Sequence, residues 1–205
     1  MKALIKLLGI TYRRDEQSPM IDNLSLDIFA GDFLSLSGVP GSGKTELLRI
    51  FALLDFPQKG SFITDIFDHY ENGFGDIIRI RTSEIATVFL EEALTKNTNA
   101  EKLGGQHGIS IRQVDRKLLQ KRLDEIESCP PRLVLVDEPS GLIDPRLMRY
   151  LMDTLHRLAD ERGVAIIMAT NNPEIASETD RTLYMQNGKI VESKERPKHR
   201  ALAKY

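Results

Sequence analysis

Two hydrophobic periods alternate along this chain. Leu4–Tyr12 reads as a strand, Leu24–Phe29 alternates apolar and polar residues as a half-buried strand does, and Ala30-Gly31-Asp32 between the second of these and Phe33–Ser37 reads as a turn. Phe33–Ser37 is short, apolar and runs straight into Gly38, which predicts a buried strand that ends at a glycine. Thr45–Leu54 changes period, with Leu47, Leu48, Phe51 and Leu54 on one side of a helix. Asp55–Ser61, with Pro57 and Gly60, reads as a loop. Further strands are expected at Ser61–Phe67, Ile77–Arg81 and Ile85–Phe89.

Residues 91–113 are polar and rich in glycine, and no element is assigned there. Val114–Ile126 returns to helical spacing. Leu133–Val136 is wholly apolar and predicts a strand buried on both faces. Arg146–Glu161 is an amphipathic helix, Val164–Ala169 a second buried strand, and Pro173–Ser177 a short helix. Leu183–Met185 and Lys189–Val191 flank Asn187-Gly188, a hairpin signal. Residues 193–205 are charged and are expected to form a loose tail. Strands come first and β/α alternation follows, which predicts an α/β fold: a mostly parallel sheet flanked by helices, with an N-terminal antiparallel β portion.

Composition narrows this picture. The 205 residues suit one domain, and 41% hydrophobic with 28% charged residues supports a soluble core. A net charge of −2 gives no global field to attract nucleic acid, so no nucleic-acid partner is expected. No run approaches the roughly 18 apolar residues of a membrane span, and the N-terminal stretch is too short for a secretory h-region. The expected place is therefore the cytoplasm, with any membrane connection made through a partner at its cytoplasmic face. Cys129 is the single cysteine, which excludes an internal disulfide. It precedes Pro130 and Pro131 with no evident histidine partner and reads as structural. The four histidines show no metal-ligand spacing.

The chemistry lies in two segments. Gly38-Val39-Pro40-Gly41-Ser42-Gly43-Lys44-Thr45 satisfies G-x-x-x-x-G-K-[ST], and it lies between a strand and a helix as that pattern requires. Glycines let backbone N–H groups close around an anion, and the helix adds its positive end. Lys44 is expected to reach the β- and γ-phosphates of ATP, and Thr45 to place its hydroxyl on Mg²⁺. Gly38 through Glu46 are thus the candidate nucleotide contacts. Leu133–Val136 then delivers Asp137 and Glu138 at the strand end where parallel sheets bind ligands. Asp137 is expected to hold Mg²⁺ through water, and Glu138 to accept a proton from the attacking water.

Asp137-Glu138-Pro139-Ser140-Gly141-Leu142-Ile143-Asp144-Pro145 resembles the D-E-P-[ST]-x-x-L-D segment of ATP-binding cassette (ABC) ATPases. Asn23–Phe33 resembles the strand and turn before that family's phosphate loop. "LLDFPQKGSF" is similar to wording in its lipoprotein-release, macrolide-export and cell-division branch. The resemblance covers about residues 1–90 and 130–192 and implies a P-loop NTPase fold. It implies that Tyr12 stacks on adenine and that Asp144 lies in a loop facing an opposite subunit. It also implies a second ABC subunit, the same or different, and a membrane permease or membrane-anchored partner.

Three departures accompany the match. Leu90 stands where the family has glutamine and can neither coordinate Mg²⁺ nor orient water. Asn171 replaces a histidine; it can hydrogen-bond a γ-phosphate but carries no proton. For the L-S-G-G-Q signature, Gly104-Gly105-Gln106 and Ser110-Ile111-Arg112-Gln113 compete, and neither is a good match. The interval from Leu90 to Asp137 is short, which predicts a reduced helical subdomain over 91–128.

The implied function is an ATPase subunit, weak or partner-dependent, that drives a membrane partner. The alternatives are a nucleotide switch with little hydrolysis, which Leu90, Asn171 and the weak signature favour, and a P-loop phosphotransferase.

Overall fold

The computed structural model describes residues 2–14, 20–65, 74–88, 116–139 and 143–196. Strands β1 (Ile5–Tyr12), β2 (Ile21–Ile28) and β4 (Lys59–Thr64) form an antiparallel sheet in the order β2-β1-β4. A second sheet has the order β5-β6-β7-β3-β8-β9. Its strands are β3 (Phe33–Ser37), β5 (Ile85–Val88), β6 (Leu133–Asp137), β7 (Ala165–Ala169), β8 (Arg181–Gln186) and β9 (Lys189–Glu195). Neighbours are parallel throughout this sheet except β9, which turns back against β8 at Asn187-Gly188. The helices are α1 (Lys44–Phe51), α2 (Phe74–Ser83), α3 (Arg116–Ser128), α4 (Pro145–Arg162) and α5 (Pro173–Ser177). The mixed α/β architecture with an antiparallel N-terminal portion is the one the sequence predicts.

The period-two rule explains why β6 is apolar at every position. Leu133 and Leu135 turn to one face with Leu34, Leu36, Ile167, α1 and the three-stranded sheet. Val134 and Val136 turn to the other with Phe33, Ile166, Met168, α3 and α4. A strand covered on both faces reads as a continuous apolar run, and β6 turns polar only at its end, where the chain leaves the core. Each of these fully buried side chains contributes about 1.5–3 kcal/mol.

Local signals set the helix ends. Asp144 accepts from the amides of Arg146 and Leu147, Pro145 opens α4, and Gly163 closes it in the left-handed conformation. Asn172 caps α5 in the same way through the Glu174 amide.

Two expectations are corrected. The strand expected at Ile77–Arg81 lies inside helix α2. Ile78-Arg79-Ile80-Arg81 alternates as a strand does, but Ile77 and Ile80, three apart, turn together onto the core beside α1. Tertiary packing outweighs local alternation there. The loose tail expected over 193–205 is overturned at its start, because Ser193, Lys194 and Glu195 pair with Leu183, Thr182 and Arg181. Charged residues suit an exposed edge strand, so a charge run is no sign of disorder at this position. Arg196 then anchors the chain by donating to the Ala176 carbonyl and the Thr182 hydroxyl.

Leu90, Gly104-Gly105-Gln106, Ser110–Gln113 and Ser140–Leu142 lie outside the described residues, as do 197–205 and most of the expected helical subdomain. Cys129 is a free, exposed thiol just after α3. No described helix is long and apolar enough to cross a membrane.

Candidate active site

Strand order decides what meets at the site. β7 lies between β3 and β6, all three parallel, so their C-terminal ends share one edge of the sheet. Leu36 and Asp137 both stand opposite Ala169 in the register. The ladder continues one step further, with the Glu138 amide donating to the Ala169 carbonyl and the Thr170 amide to the Leu36 carbonyl. The loop after β3, the acids ending β6 and the Thr170–Asn172 segment after β7 therefore converge although they come from three separate stretches of the sequence.

The loop from Gly38 to Gly43 needs its glycines. Gly38 has φ 149° and a Cβ there would lie 2.2 Å from the Met185 carbonyl; Gly43 has φ 103° and a Cβ would lie 2.4 Å from the Met20 carbonyl. Both contacts are with backbone, so neither can yield by side-chain movement. The Gly188 amide donates to the Ser42 carbonyl, which ties the loop to the β8–β9 turn. Gly43 then caps α1 without a side-chain partner, and the first helical bond runs from the Leu47 amide to the Gly43 carbonyl. Helix geometry leaves the amides of Lys44, Thr45 and Glu46 without intrahelical acceptors, so they present positive dipole ends to the loop. Val39 is 64% exposed at the loop's rim.

Lys44, only 6% exposed, folds its ammonium under the loop and donates to the carbonyls of Gly38 and Val39 at 2.8 and 3.3 Å. The Thr45 hydroxyl donates to Asp137 Oδ2 at 3.2 Å. That contact joins the two motifs directly.

The acids are poised under strain. Burial pushes the Asp137 carboxyl up to about 6, with the charges of Glu138 and Glu46 adding to the shift and the Thr45 hydrogen bond and Lys44 opposing it. Glu138 has φ 44° and is followed by Pro139. The left-handed conformation costs about 1–2 kcal/mol for a residue with a side chain. Glu138 Oε2 accepts from the Asn171 amide at 3.3 Å. It is thus the backbone of Asn171, not its side chain, that reaches the acid. Ser42 Oγ, Asp137 Oδ1 and Glu138 Oε1 are buried with no hydrogen-bonding partner among the described residues. Orphaned buried oxygens are costly, and their clustering in one cradle fits a ligand that supplies both anionic oxygens and a cation. Among the described residues no three His, Cys, Asp or Glu side chains group closely enough to hold a metal by themselves. Mg²⁺ needs only one or two carboxylates when phosphate oxygens complete its shell, and Thr45 with Asp137 fits that donor set.

Tyr12 has a different setting from the one expected. It is 7% exposed and belongs to the core, with its hydroxyl donating to Asp55 Oδ2 at 2.9 Å. Burial first, then Asp55, raises its pKa. Asp55 is in turn held by Arg49 at 2.6 and 3.0 Å. So little exposed ring leaves a purine little area to stack on. Sequence reasoning missed Arg14, Arg49 and Asp55 around this tyrosine, and Met20 and Gly188 beneath the loop. Only the short "LLDFPQ" segment marked the neighbourhood of Asp55, and nothing local marked the others. Asp144 acts within the chain as the cap of α4.

A family profile described as ABC transporter matches residues 21–132. The chain is 29% identical to the ABC transporter ATP-binding protein YvrO of Bacillus subtilis over 205 residues, 86% of this chain and 89% of that protein. It is also 29% identical to the lipoprotein-releasing system ATP-binding protein LolD 2 of Chlorobaculum tepidum, covering 88% and 87% of the two chains. It is 28% identical to the macrolide export ATP-binding/permease protein MacB of Escherichia coli K12, covering 86% of this chain but 32% of that larger protein. Among solved structures, a dimeric ATP-binding cassette, MJ0796, bound to ADP and Pi superposes with a TM-score of 0.71 at 20% identity, covering 93% of this chain and 98% of that one.

Proposed function

From the premise that the chain belongs to the ABC transporter family, as an ATP-binding subunit and an ATPase, we propose the roles of its individual residues. Residues 38–45 and the α1 amides hold the triphosphate of ATP. Lys44 leaves the Gly38 and Val39 carbonyls to donate to the β- and γ-phosphates. Thr45 and Asp137 hold Mg²⁺, which supplies electrostatic stabilisation of the transferring phosphoryl group. Glu138 orients a water and accepts its proton, and the Asn171 amide keeps that carboxylate in place. The observation that carries this reading is the 3.2 Å contact between Thr45 and Asp137, with orphaned carboxylate oxygens beside it.

The same reading makes hydrolysis dependent on a second subunit. In the dimeric arrangement that the family resemblance implies, each ATP is completed by the opposite subunit's signature, and neither signature candidate here is a good match. This chain supports ATP and Mg²⁺ on its own face, and a partner with an intact signature completes the site. YvrO is named as an ABC transporter ATP-binding protein, LolD 2 as part of a lipoprotein-releasing system and MacB as a macrolide export ATP-binding/permease protein, so a membrane permease is the proposed mechanical partner. The test is turnover by the purified chain, with Lys44→Ala as control. Slow turnover that rises on adding a partner cassette is expected. Brisk turnover by the chain alone, lost in the variant, refutes the need for a partner.

One observation favours a second reading, a nucleotide switch with little hydrolysis. Asn171 lacks a titratable side chain, and its amide already occupies Glu138 Oε2. A single-turnover experiment with the partner cassette present separates the two: tight Mg-ATP binding without phosphate release even then supports the switch.

A further inference from the structure

Glu46 puts an anion inside an anion site. It is the third residue of α1, in the first turn, where helix amides and the phosphate loop favour negative charge. Its side chain is only 11% exposed, so water screens it poorly. Its charge is felt at Asp137, which it helps to raise. A glutamate at this position of a helix can turn back to the N-cap amide, beside the free amides a phosphate needs. In this fold it is instead drawn aside. Arg14, two residues beyond the end of β1, places Nη2 3.4 Å from Glu46 Oε1. Arg14 also lies by the Tyr12 phenol, and its charge acts on the Asp55 carboxylate.

We propose that Arg14 is a positioning residue for the triphosphate: it neutralises Glu46 and holds that carboxylate off the α1 amides, so that ATP meets an electropositive cradle. Without Arg14, Glu46 competes with the phosphates and repels them. The inference deepens the ATP-binding reading and rests on it. Arg14 acts through Glu46, so its importance vanishes once Glu46 is neutral. That property distinguishes it from a residue that touches the nucleotide.

A double-mutant cycle tests this, with Mg-ATP affinity measured by calorimetry on the full chain. Arg14→Ala is expected to weaken binding about ten-fold at low salt, and the defect is expected to shrink as salt screens Glu46. Arg14→Lys, which keeps the charge, restores most of the affinity. Glu46→Gln alone binds about two- to five-fold tighter than the wild type, as removal of a like charge near an anion requires. The double variant Arg14→Ala/Glu46→Gln binds as Glu46→Gln does. An Arg14→Ala defect of the same size in the Glu46→Gln background would show that Arg14 contacts the nucleotide itself and would overturn the inference. Unchanged affinity in Arg14→Ala, with Lys44→Ala abolishing binding, overturns it while leaving the ATP site standing. Absence of Mg-ATP binding by the wild type overturns both. Thermal unfolding of each variant without nucleotide separates a folding defect from a binding one.

Discussion

Replacing Asp137 with asparagine should make the nucleotide-free protein more stable while weakening its hold on Mg-ATP. The folded state raises this carboxyl from 3.8 to about 6, chiefly by burial. The folded chain therefore binds the proton more tightly than the unfolded chain. The stability this group contributes is complete below the unfolded value and is lost as pH rises through about 6. Above that, the ionised buried carboxylate costs about 2–3 kcal/mol, from ~1.4 kcal/mol per pH unit and a discount for its remaining exposure. Asparagine keeps the shape and can still accept from Thr45, but carries no charge. With an unfolding entropy of about 2.1 cal/mol/K per residue, a chain of 205 residues should gain about 5–7 °C in Tm. The assay is calorimetric unfolding with a chelator, at pH 5 and pH 7.5. Asp137→Asn is expected to exceed the wild type at pH 7.5, and the gain is expected to fall to about half at pH 5, which lies between the unfolded and folded values. Adding Mg-ATP should raise the wild-type Tm more than the variant's. A variant less stable than the wild type at pH 7.5, or an equal gain at both pH values, refutes the claim that an uncompensated charge resides there.

Other perturbations read other parts of the site. Glu138→Gln should retain Mg-ATP affinity and lose at least about a hundred-fold in partner-stimulated turnover, since it orients water but accepts no proton; an unchanged rate in stopped-flow phosphate release argues against its role as base. Gly43→Ala meets the Met20 carbonyl at 2.4 Å and a left-handed backbone. It should cost about 2–3 kcal/mol in urea unfolding and abolish nucleotide binding, whereas a well-folded, ATP-binding variant contradicts the loop geometry. Asp144→Ala removes the α4 cap and should cost about 1 kcal/mol, with ATP affinity of the isolated chain untouched. Leu135→Ala, at a fully buried position of β6, should cost about 2–5 kcal/mol.

The phosphate loop and the Asp137-Glu138 strand were legible because each is a local pattern with one structural solution. A glycine-rich loop between an apolar strand and a helix has to fold around an anion, and an apolar run ending in two acids has to surface at the edge of the core. What could not be read locally was adjacency. No spacing in the sequence says that β7 inserts between β3 and β6, or that Arg14 reaches Glu46 across 32 residues. Ile77–Arg81 misled because its isoleucines and arginines alternate in period two while the surrounding packing calls for one helical face. Tyr12 was identified by resemblance as a stacking ring. Its hydroxyl bond to Asp55 and its place in the core depend on a loop more than forty residues away. The charged run from 193 read as a loose tail, but Ser193, Lys194 and Glu195 belong to an edge strand whose exposed side chains leave the backbone paired with β8.

The central claim is that one end of the parallel sheet gathers the loop amides, Lys44, Thr45 and Asp137 around a magnesium-bound triphosphate. Titration of the purified chain with ATP by calorimetry, with and without Mg²⁺, tests it most directly. One ATP per chain in the presence of Mg²⁺, weakened by chelation or by Asp137→Asn and lost in Lys44→Ala, is the predicted result. Equal heats for the wild type and Lys44→Ala, or binding indifferent to Mg²⁺ and to Asp137, would contradict it.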